Sequence, residues 1–395
     1  MPLVPESDSK PIAKLKVLHI ISSLGDGGAE GVLYRLCCQS ADAEHTVVSF
    51  LDEGKYGSML EAMGHRVYCL RMTRGRVSLQ SLVQLWRVIR NERPDVVQTW
   101  MYHADLLGGV FAKLLGVPNI VWGIRQTDLK FGSSSWSTIL IAYLNALLSK
   151  FIPNQIICCA ENARKVHIGM GYSKNKCIVI PNGYDLNRFC FDDQKRGLVR
   201  STLGIDESIH LIGMVARYDA QKDHLKLLES LAILKHKGRE FRCVLIGQGL
   251  DSNNESMRFA IDKYELKKEV ILLNHHANIP AVMSALDLHV LSSAFGEGFP
   301  NVIAEAMACT TPCVATDVGD TASIVGDTGW IVKPNDTSAL AEAIDQALNE
   351  IRNHSQKWHK RKLAARERIS LSYELKKMSD AFERVWRKQK LIVNS

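Results

Sequence analysis

Short apolar runs rich in β-branched residues alternate along the chain with stretches whose apolar positions recur at three- and four-residue spacing. The runs have the length of buried strands, and the intervening stretches have the period of amphipathic helices. This alternation predicts βαβ units and mostly parallel sheets, the α/β fold class. The predicted strands form two series: 15–22, 45–51, 66–72, 95–100, 119–125, 155–160 and 177–182, then 210–216, 241–247, 270–274, 288–293, 312–316 and 329–333.

A polar, turn-rich segment, "NGYDLNRFCFDDQKRG", separates the two series near residue 190. At 395 residues the chain also exceeds the usual size of a single core. We therefore predict two domains, residues 1–190 and 191–371. The tail beyond them has apolar residues at helical spacing: Leu375, Met378, Phe382, Val385 and Trp386. We expect residues 372–395 to form a helix that packs back on the first domain.

The composition of the chain indicates the cellular compartment in which the protein is expected. The chain is 46% hydrophobic and 23% charged, which is typical of a globular protein. Its start, "MPLVPESDSKPIAK", lacks the apolar segment of a signal peptide, and no continuously apolar run reaches the roughly 18–20 residues of a spanning helix. The ten cysteines lack the spacing of a zinc or redox site. We expect a cytosolic protein whose cysteines are reduced core residues.

The net charge of +7 is unevenly distributed. Residues 1–190 carry 21 Lys and Arg against 15 Asp and Glu, residues 191–352 carry 16 against 23, and residues 353–395 carry 12 against 4. The basic ends favour an anionic partner, such as a phosphorylated substrate or an anionic membrane face. A solvated basic surface is the alternative, and the sequence leaves both open. No nucleic-acid partner is expected.

The first motif is a glycine-rich turn between a strand and a helix, "SSLGDGGAEGVLYRL" at 22–36. Such a turn directs backbone N–H groups at an anion. A dinucleotide-binding GxGxxG motif starting at Gly25 and Gly27 would need a glycine where Glu30 stands, and a carboxylate there repels a pyrophosphate. The motif therefore disfavours a dinucleotide-dependent oxidoreductase. A turn that serves packing alone remains an alternative.

The second motif, "GMVARYDAQKDHLKLLESL" at 213–231, places Arg217 and Lys222 across another turn between a strand and a helix. Arginine offers a planar fork and lysine a mobile point charge, a combination suited to a diphosphate without a metal. Solvent-exposed turn charges are the alternative interpretation. The position just after a strand favours the functional one.

The third motif is "SSAFGEGFPNVIAEAMA" at 292–308, with Glu297 before a predicted helix and Glu305 inside it. Pro300 suits the first helical position. At about 100° per residue, Glu305 should face out of the core. Carboxylates only accept hydrogen bonds, so both suit hydroxyl-rich partners such as sugars. Complementing the positive end of the helix is an alternative that explains Glu297 better than Glu305.

Together these motifs resemble a retaining nucleotide-sugar glycosyltransferase of the GT-B fold, similar to glycosyltransferase family 4 of the bacterial surface polysaccharide type. The resemblance rests on "GDGGAEGVL", "ARYDAQKDHLKLLESL", "IGQG" and above all "FGEGFPNVIAEAMACTTPCVATDVGD", with two glutamates separated by seven residues. It spans about 15–390. It implies two Rossmann-like, doubly wound domains that face a central cleft, with a C-terminal helix crossing back to the first domain.

The resemblance also implies roles for individual residues. Arg217 and Lys222 would hold the donor diphosphate, and Glu297 would bind hydroxyls of the donor sugar. Glu305 would bind the ribose, with the base near 275–279. The remaining implied contacts are the backbone of Gly298, Phe299 and Asn301 to the donor sugar, Gly27 and Gly28 near the donor phosphates and the acceptor, and His103 on the acceptor side. A histidine satisfied at a strand end is an equal alternative for His103.

One position departs from the family pattern. Members often carry a histidine after the strand that follows His103, whereas "VWGIRQTDL" has Arg125 there. Arginine is permanently cationic and could neutralise a leaving diphosphate. The resemblance therefore adds Arg125 to the predicted catalytic residues.

The implied function is transfer of a sugar, with retention, from a nucleotide-diphosphate sugar, UDP-sugar by preference, to a hydroxyl of a glycan or lipid-linked acceptor. No cofactor is implied, and no metal is implied because the sequence supplies no acidic ligand pair at the diphosphate. A nucleotide-sugar epimerase or phosphorylase on the same fold is an alternative. A non-catalytic nucleotide-sugar binding protein is another.

The segment "SSSWSTILIAYLNALLSKFI" at 133–152 has two interpretations. It lies in a membrane interface, anchored by Trp136 and Tyr143 and flanked by Lys130 and Lys150, or it is a helix that packs on the first sheet. The sequence favours packing. Peripheral contact with an anionic membrane stays open.

Overall fold

The structure is a computed structural model that describes residues 14–73, 77–127, 129 and 135–388. The strands are β1 Leu15–Ile21, β2 Ala43–Ser49, β3 Arg66–Cys69, β4 Val96–Trp100, β5 Asn119–Ile124, β6 Gln155–Cys158, β7 Cys177–Val179, β8 Leu211–Val215, β9 Arg242–Ile246, β10 Val270–Leu273, β11 Leu288–Leu291, β12 Cys313–Thr316 and β13 Trp330–Val332. Every predicted run overlaps one of them, and only β2 extends beyond its run, by two residues at its start. Apolar β-branched runs of this length suit buried parallel strands.

Helices occupy the segments between the strands and after the last of them. They are α1 Gly28–Gln39, α2 Gly54–Ala62, α3 Leu79–Glu92, α4 Tyr102–Leu114, α5 Trp136–Leu148, α6 Glu161–Gly169, α7 Asp193–Thr202, α8 His224–His236, α9 Glu255–Lys263, α10 Ile279–Ala285, α11 Asn301–Ala308, α12 Thr321–Val325, α13 Thr337–Asn353, α14 Ser355–Tyr373 and α15 Leu375–Arg387.

The strands form two parallel sheets with the same internal order. The first sheet has the order β3-β2-β1-β4-β5-β6-β7, and the second has the order β10-β9-β8-β11-β12-β13. In both, the chain builds outward on one side and then crosses to the other, as in a Rossmann fold. The crossing lies between β1 and β4 in the first sheet and between β8 and β11 in the second. This confirms the predicted pair of Rossmann-like, doubly wound domains.

The chain divides into two compact units. The first comprises Met1–Trp122, Ile152–Gln155 and Glu383–Ser395, and the second comprises Gly123–Phe151 and Ile156–Phe382. The predicted junction near residue 190 lies inside the second unit, so the division into 1–190 and 191–371 stays a prediction.

The end of the tail helix packs in the first unit, on strands of the first sheet. The Trp386 indole donates to Gln98 Oε1 in β4 at 3.2 Å, and the Asn119 side chain in β5 donates to the Trp386 carbonyl at 3.0 Å. Glu383 accepts from the Ser40 hydroxyl at 2.6 Å. The end of the C-terminal helix, from Glu383 onward, thus lies in the first unit as predicted, whereas the earlier part of α15 belongs to the second unit. Residues 389–395 of the predicted helix lie outside the described residues.

The cysteines are all free, but one of them contradicts the expectation of core positions. Cys37 is buried in α1, whereas Cys38 is exposed. Successive helix positions point about 100° apart, so only one residue of this pair can face the core. Cys69 and Cys190 are half-buried, and the others lie in the interior.

Candidate active site

The second sheet places two of the sequence motifs side by side at its crossing point. The loop after β8 carries Arg217 and Lys222, and the loop after β11 carries Glu297. The Gln221 carbonyl accepts from the Ala294 amide at 2.8 Å, which joins the two loops. The Ser292 hydroxyl also donates to the Lys222 carbonyl at 3.0 Å. In doubly wound sheets, ligands bind outside the carboxyl ends of the strands at this crossing.

Lys222 and Glu297 form a buried ion pair across the two loops. Lys222 Nζ lies 2.5 Å from Glu297 Oε1, and the Ser293 hydroxyl donates to the same oxygen at 2.6 Å. Beneath them, burial, aided by the charge of Lys222, lowers the pKa of His289 to about 3. The imidazole is therefore neutral, and Glu297 is the carboxylate that neutralises Lys222.

Arg217 is the exposed member of the group. Its Nε donates to Asp219 Oδ2 at 3.1 Å, and Asp219 Oδ1 accepts from the Gln221 amide at 2.9 Å. Burial opposes ionisation of Asp219, but these two donors outweigh it and lower its pKa. Asp219 thus stabilises the turn between Arg217 and Lys222, the two predicted phosphate ligands. The Arg217 guanidinium remains exposed to solvent.

Glycine allows a close backbone approach behind the glutamate loop. Gly319 has a φ of +66°, and a Cβ there would lie 2.2 Å from the Glu297 carbonyl oxygen. Its neighbour Asp320 donates its amide to the Gly298 carbonyl at 3.1 Å. The Asp320 carboxylate accepts from the amides of Glu161 and Asn162 at 2.7 and 3.0 Å, which caps the start of α6. The Glu297 loop is therefore held from behind by backbone contacts.

Arg125 joins this group through a directional chain of hydrogen bonds. Arg125 Nη1 donates to Asn182 Oδ1, and Asn182 Nδ2 donates to Asn301 Oδ1, both at 2.9 Å. The Tyr184 hydroxyl donates to the same Asn301 oxygen at 2.6 Å. The Phe382 ring lies 5.5 Å from the guanidinium carbon of Arg125. The predicted cation and the predicted sugar-contacting residue are therefore connected by side chains that the sequence motifs did not identify.

The start of α11 differs slightly from the prediction. Pro300 is the N-cap, and the helix begins at Asn301, because Pro300 has an extended ψ of 95°. Glu305 is half-buried, whereas Ile303, nearly opposite it on the helix, is buried. The outward position of Glu305 agrees with the expectation from helical periodicity. Phe299 is buried and stacks on Tyr184 with ring centroids 6.4 Å apart.

The segment predicted to lie near a base, 275–279, borders a cavity in the second unit. His276 and Asn278 line it together with apolar residues of β9 and β10, Ile246 and Leu273. Asn278 also caps α10 by accepting from the Ala281 amide at 3.1 Å. An apolar cavity with a few polar groups at its edge has the general character of a site for a flat ring.

In the first sheet, the other predicted residues follow the two strands at the crossing. Gly27 is the N-cap of α1 after β1, and Gly28 is the first residue of that helix. Glu30 folds over this helix start: a Cβ on Gly27 would lie 2.3 Å from Glu30 Oε2, and Glu30 Oε1 accepts from Ser23 at 2.9 Å. A carboxylate therefore already occupies this helix N-terminus, which agrees with the argument against a dinucleotide.

His103 lies in the first turn of α4, directly after β4, and is half-buried. Burial lowers its pKa, which favours the neutral imidazole near pH 7. Gly27, Gly28 and His103 thus share the carboxyl edge at the crossing of the first sheet, while Arg217, Lys222 and Glu297 share that of the second. Arg125, Gly298, Phe299, Asn301 and Glu305 belong to the second unit.

Sequence reasoning missed Ser293, Asp219, Asn182, Tyr184 and Asp320. Ser293 and Asp219 stand within four residues of predicted ligands, so proximity was an available signal. Asn182 and Tyr184 lie in the polar segment interpreted as a junction, more than a hundred residues from Asn301. Nothing in the local sequence around them indicated that contact.

One group of three side chains among the described residues has the geometry of a metal site: His19, Cys37 and His45, all buried. Their ring nitrogens are already used. The Trp100 indole donates to His19 Nδ1 at 3.2 Å, which leaves His19 Nε2 to donate to His45 Nδ1 at 2.9 Å. His45 Nε2 then donates to the Ser40 carbonyl at 3.2 Å. Each ring therefore has one donor and one acceptor in use, as expected of a neutral structural network.

A helix that spans a bilayer needs about 20 predominantly apolar residues. None of the helices within the described ranges combines the length and the apolar character needed to cross a bilayer.

Family models match most of the chain in two parts. The model described as Glycosyltransferase Family 4 matches residues 26–188, and the model described as Glycosyl transferases group 1 matches residues 196–365. The gap between these ranges includes the predicted junction near residue 190.

Two curated relatives and one solved structure illustrate the similarity. An Escherichia coli UDP-Gal:alpha-D-GlcNAc-diphosphoundecaprenol alpha-1,3-galactosyltransferase is 27% identical over 283 residues, 69% of this chain and 72% of the relative. A Campylobacter jejuni N,N'-diacetylbacillosaminyl-diphospho-undecaprenol alpha-1,3-N-acetylgalactosaminyltransferase is 24% identical over 346 residues, 84% and 89% of the two chains. Anabaena HepE in complex with UDP has a TM-score of 0.83 at 22% identity, covering 95% of this chain and 100% of HepE. The chain is a glycosyltransferase of the GT-B fold, built from a Glycosyltransferase Family 4 domain followed by a Glycosyl transferases group 1 domain.

Proposed function

We propose that the protein transfers a sugar, with retention of configuration, from UDP-sugar to a hydroxyl of a glycan or lipid-linked acceptor. The observation that carries the proposal is the Lys222–Glu297 pair at the crossing of the second sheet, 2.5 Å apart. It places a cation suited to a diphosphate against a carboxylate suited to sugar hydroxyls. The names of the Escherichia coli and Campylobacter jejuni relatives, which both include a diphosphoundecaprenol acceptor, support the acceptor class.

In this proposal Arg217 and Lys222 bind the donor diphosphate, and Glu297 binds hydroxyls of the donor sugar. Backbone groups of Gly298, Phe299 and Asn301 contact the same sugar. Glu305 binds the ribose, with the base beside 275–279. The further assigned positions are Gly27 and Gly28 near the phosphates and acceptor, and His103 on the acceptor side.

The proposed chemistry exchanges one C–O bond for another on the same face of the sugar. The acceptor oxygen bonds to the anomeric carbon as the bond from that carbon to the diphosphate oxygen breaks, and the acceptor proton passes to the leaving phosphate. Negative charge grows on the diphosphate, so Arg217 and Lys222 stabilise the transition state. By analogy with oxyanion sites, each donor contributes about 2.7–4 kcal/mol.

Arg125 is proposed to add positive charge to the same site. Asn182 holds its guanidinium, and Asn182 also contacts Asn301, one of the residues assigned to the donor sugar. Three cations of the chain would then balance the diphosphate, and we propose that the reaction needs no metal. A cytosolic location with peripheral membrane contact belongs to the same proposal.

The decisive experiment is transfer from a panel of radiolabelled UDP-sugars to a synthetic prenyl-diphosphate-linked sugar, with product configuration read by NMR. We expect an elongated lipid-linked product that keeps the donor's anomeric configuration, at the same rate with and without EDTA. Glu305→Ala should weaken UDP binding. Glu297→Ala should instead remove the extra affinity that the sugar adds over UDP alone.

Other products would identify the alternatives. An epimerised nucleotide sugar without acceptor would indicate an epimerase, and a sugar 1-phosphate formed with inorganic phosphate would indicate a phosphorylase. Binding of UDP-sugar without any turnover across acceptors would indicate a binding protein. Equal affinity for UDP and UDP-sugar, unaltered by either glutamate substitution, would refute the site assignment.

A further inference from the structure

Helix α5 has one face that is buried and an opposite face that is exposed to solvent. Ile139, Ala142, Asn145 and Ala146 are buried. The other face carries large apolar side chains in solvent: Trp136 is 74% exposed, Leu140 70%, Leu147 66% and, just past the helix, Phe151 72%. Tyr143 and Leu144 are exposed on the same face. The helix therefore packs through one face, as the sequence favoured, and its other face exposes large apolar side chains.

The exposed residues form one continuous stripe, which we call the α5 stripe: Trp136, Leu140, Tyr143, Leu144, Leu147 and Phe151. They recur at three- and four-residue spacing and fall within an arc of about 100° on the helix. From Trp136 to Leu147 the stripe runs for about 16 Å at the rise of an α-helix. Isolated exposed apolar residues are ordinary, whereas a contiguous stripe of this kind marks an interaction surface.

Basic residues gather at the C-terminal end of the stripe. The Ser173 amide donates to the Ser149 hydroxyl at 2.9 Å, which fixes the following loop against the end of α5. Lys176 Nζ donates to the Lys150 carbonyl at 2.8 Å. Lys150 and Lys174 are exposed there, and Lys176 is half-buried. In the sequence, residues 129–184 contain six Lys and Arg against the single acid Glu161.

We propose that the α5 stripe lies in the interface of an anionic phospholipid bilayer, with Lys150, Lys174 and Lys176 against the lipid headgroups. An apolar helix face with aromatic residues and flanking lysines is the pattern of helices that lie in a membrane interface. A second copy of the chain fits less well, because its own stripe region would bring the same lysines and, within 129–184, only Glu161, which already pairs with Arg164 at 2.6 Å. The proposal rests on the peripheral membrane contact of the proposed function and names the surface that makes it, whereas the sugar-transfer reaction does not depend on it. A chain that transfers sugar without binding vesicles would refute this proposal and leave the transfer reaction standing.

The test is sedimentation of the full chain with sucrose-loaded vesicles, either pure phosphatidylcholine or phosphatidylcholine with about a third phosphatidylglycerol. We expect binding to the anionic vesicles. Leu140→Gln with Leu147→Gln should weaken that binding by about tenfold or more, since apolar side chains then no longer leave water. Lys150→Ser with Lys174→Ser should weaken it about tenfold or more and should leave any binding to pure phosphatidylcholine unchanged.

The matched control is Leu363→Gln with Leu371→Gln on α14, whose leucines are 53% and 64% exposed. This variant should bind vesicles like the wild type. Because all of these side chains are exposed, melting temperatures should agree within a few degrees, which separates lost docking from lost folding.

Three results would overturn the proposal. The first is that the wild type does not bind anionic vesicles, and the second is that the α5 variant binds them as well as the control does. The third is a wild-type dimer in sedimentation equilibrium that becomes a monomer in the α5 variant without a change in vesicle binding. That third result would assign the stripe to a contact between copies.

Discussion

Replacing Glu297 by glutamine removes one charge from a nearly dry ion pair while keeping the shape of the side chain. Lys222 and Glu297 have side chains only 14% and 7% exposed, with 2.5 Å between Nζ and Oε1. The glutamine oxygen can still accept from Lys222 and from Ser293. What is lost is the compensation of a buried cation.

The expected cost follows from that burial. Removing one partner of a buried pair costs about 3–5 kcal/mol, and the remaining hydrogen bonds place glutamine at the lower end, about 3 kcal/mol. For a unit of some 150–250 residues, about 2–4 °C of melting temperature corresponds to each kcal/mol. We expect the Glu297→Gln melting temperature to fall by roughly 6–12 °C.

The assay is a thermal melt with and without UDP. If Lys222 binds the diphosphate, UDP supplies the negative charge that glutamine lacks. UDP at a fixed concentration should then raise the melting temperature of Glu297→Gln by more than it raises that of the wild type. The double variant Lys222→Met with Glu297→Gln should recover much of the lost stability, because no unpaired charge stays buried.

The neighbouring pair supplies the matched control. Arg217 and Asp219 are 58% and 37% exposed and 3.1 Å apart. An exposed pair contributes less than about 1 kcal/mol, so Asp219→Asn should shift the melting temperature by less than about 4 °C. Equal shifts for Asp219→Asn and Glu297→Gln would refute the reasoning about burial. A smaller UDP effect in Glu297→Gln than in the wild type would refute the assignment of Lys222 to the diphosphate.

Two further predictions concern the close backbone contact at Gly319 and the pH dependence of stability. Gly319→Ala should weaken UDP-sugar binding measured by calorimetry, because its Cβ would meet the Glu297 carbonyl oxygen. The control is Gly204→Ala, which has the same backbone strain at a φ of +65° but no atom within 4 Å of its Cβ, and which should leave the affinity unchanged. An unaltered affinity in both variants would contradict the prediction for Gly319. Burial lowers the pKa of His45 from 6.5 to about 4, so the folded chain takes up this proton less readily than the unfolded chain does. This group therefore costs no stability above pH 6.5, and the protein loses stability as the pH falls from 6.5 towards 4. In urea unfolding, this group should lower the free energy of unfolding by about 2 kcal/mol at pH 5 relative to pH 7. His45→Gln should therefore show a weaker dependence of the unfolding free energy on pH than the wild type, and identical dependences would count against the prediction.

Most of the fold could be predicted from local sequence. Runs such as 15–22 and 210–216 are apolar, β-branched and bounded by turn residues, so they have few alternatives to a buried parallel strand. The tail was equally clear, since a helix with Met378, Phe382 and Trp386 on one face must bury that face. The strand order did not follow from these patterns, because sheet order depends on which strands pair across the chain.

The candidate site could be predicted only where its residues lie in motifs with local signatures. Glu297 and Glu305 were found by their spacing around a helix start, and Arg217 and Lys222 by their position after a strand. Asn182 was not, because its role comes from contacts with Arg125, 57 residues earlier, and Asn301, 119 residues later. A lone asparagine in a turn-rich segment has many uses, and only the folded chain selects among them.

Under the proposed assignment of Lys222 to the diphosphate and Glu297 to the sugar, the buried pair predicts that recognition of phosphate and recognition of sugar depend on each other. In the structure, Glu297 is the counter-ion of Lys222, so each group must give up the other before it can bind a partner at full strength. A diphosphate that takes over Lys222 would release Glu297, and the released carboxylate needs new donors because it is almost fully buried. Sugar hydroxyls attached to the same diphosphate are placed to supply them. Binding of either half of the donor then lowers the cost of binding the other, and this mutual dependence favours the intact nucleotide sugar over UDP alone or free sugar.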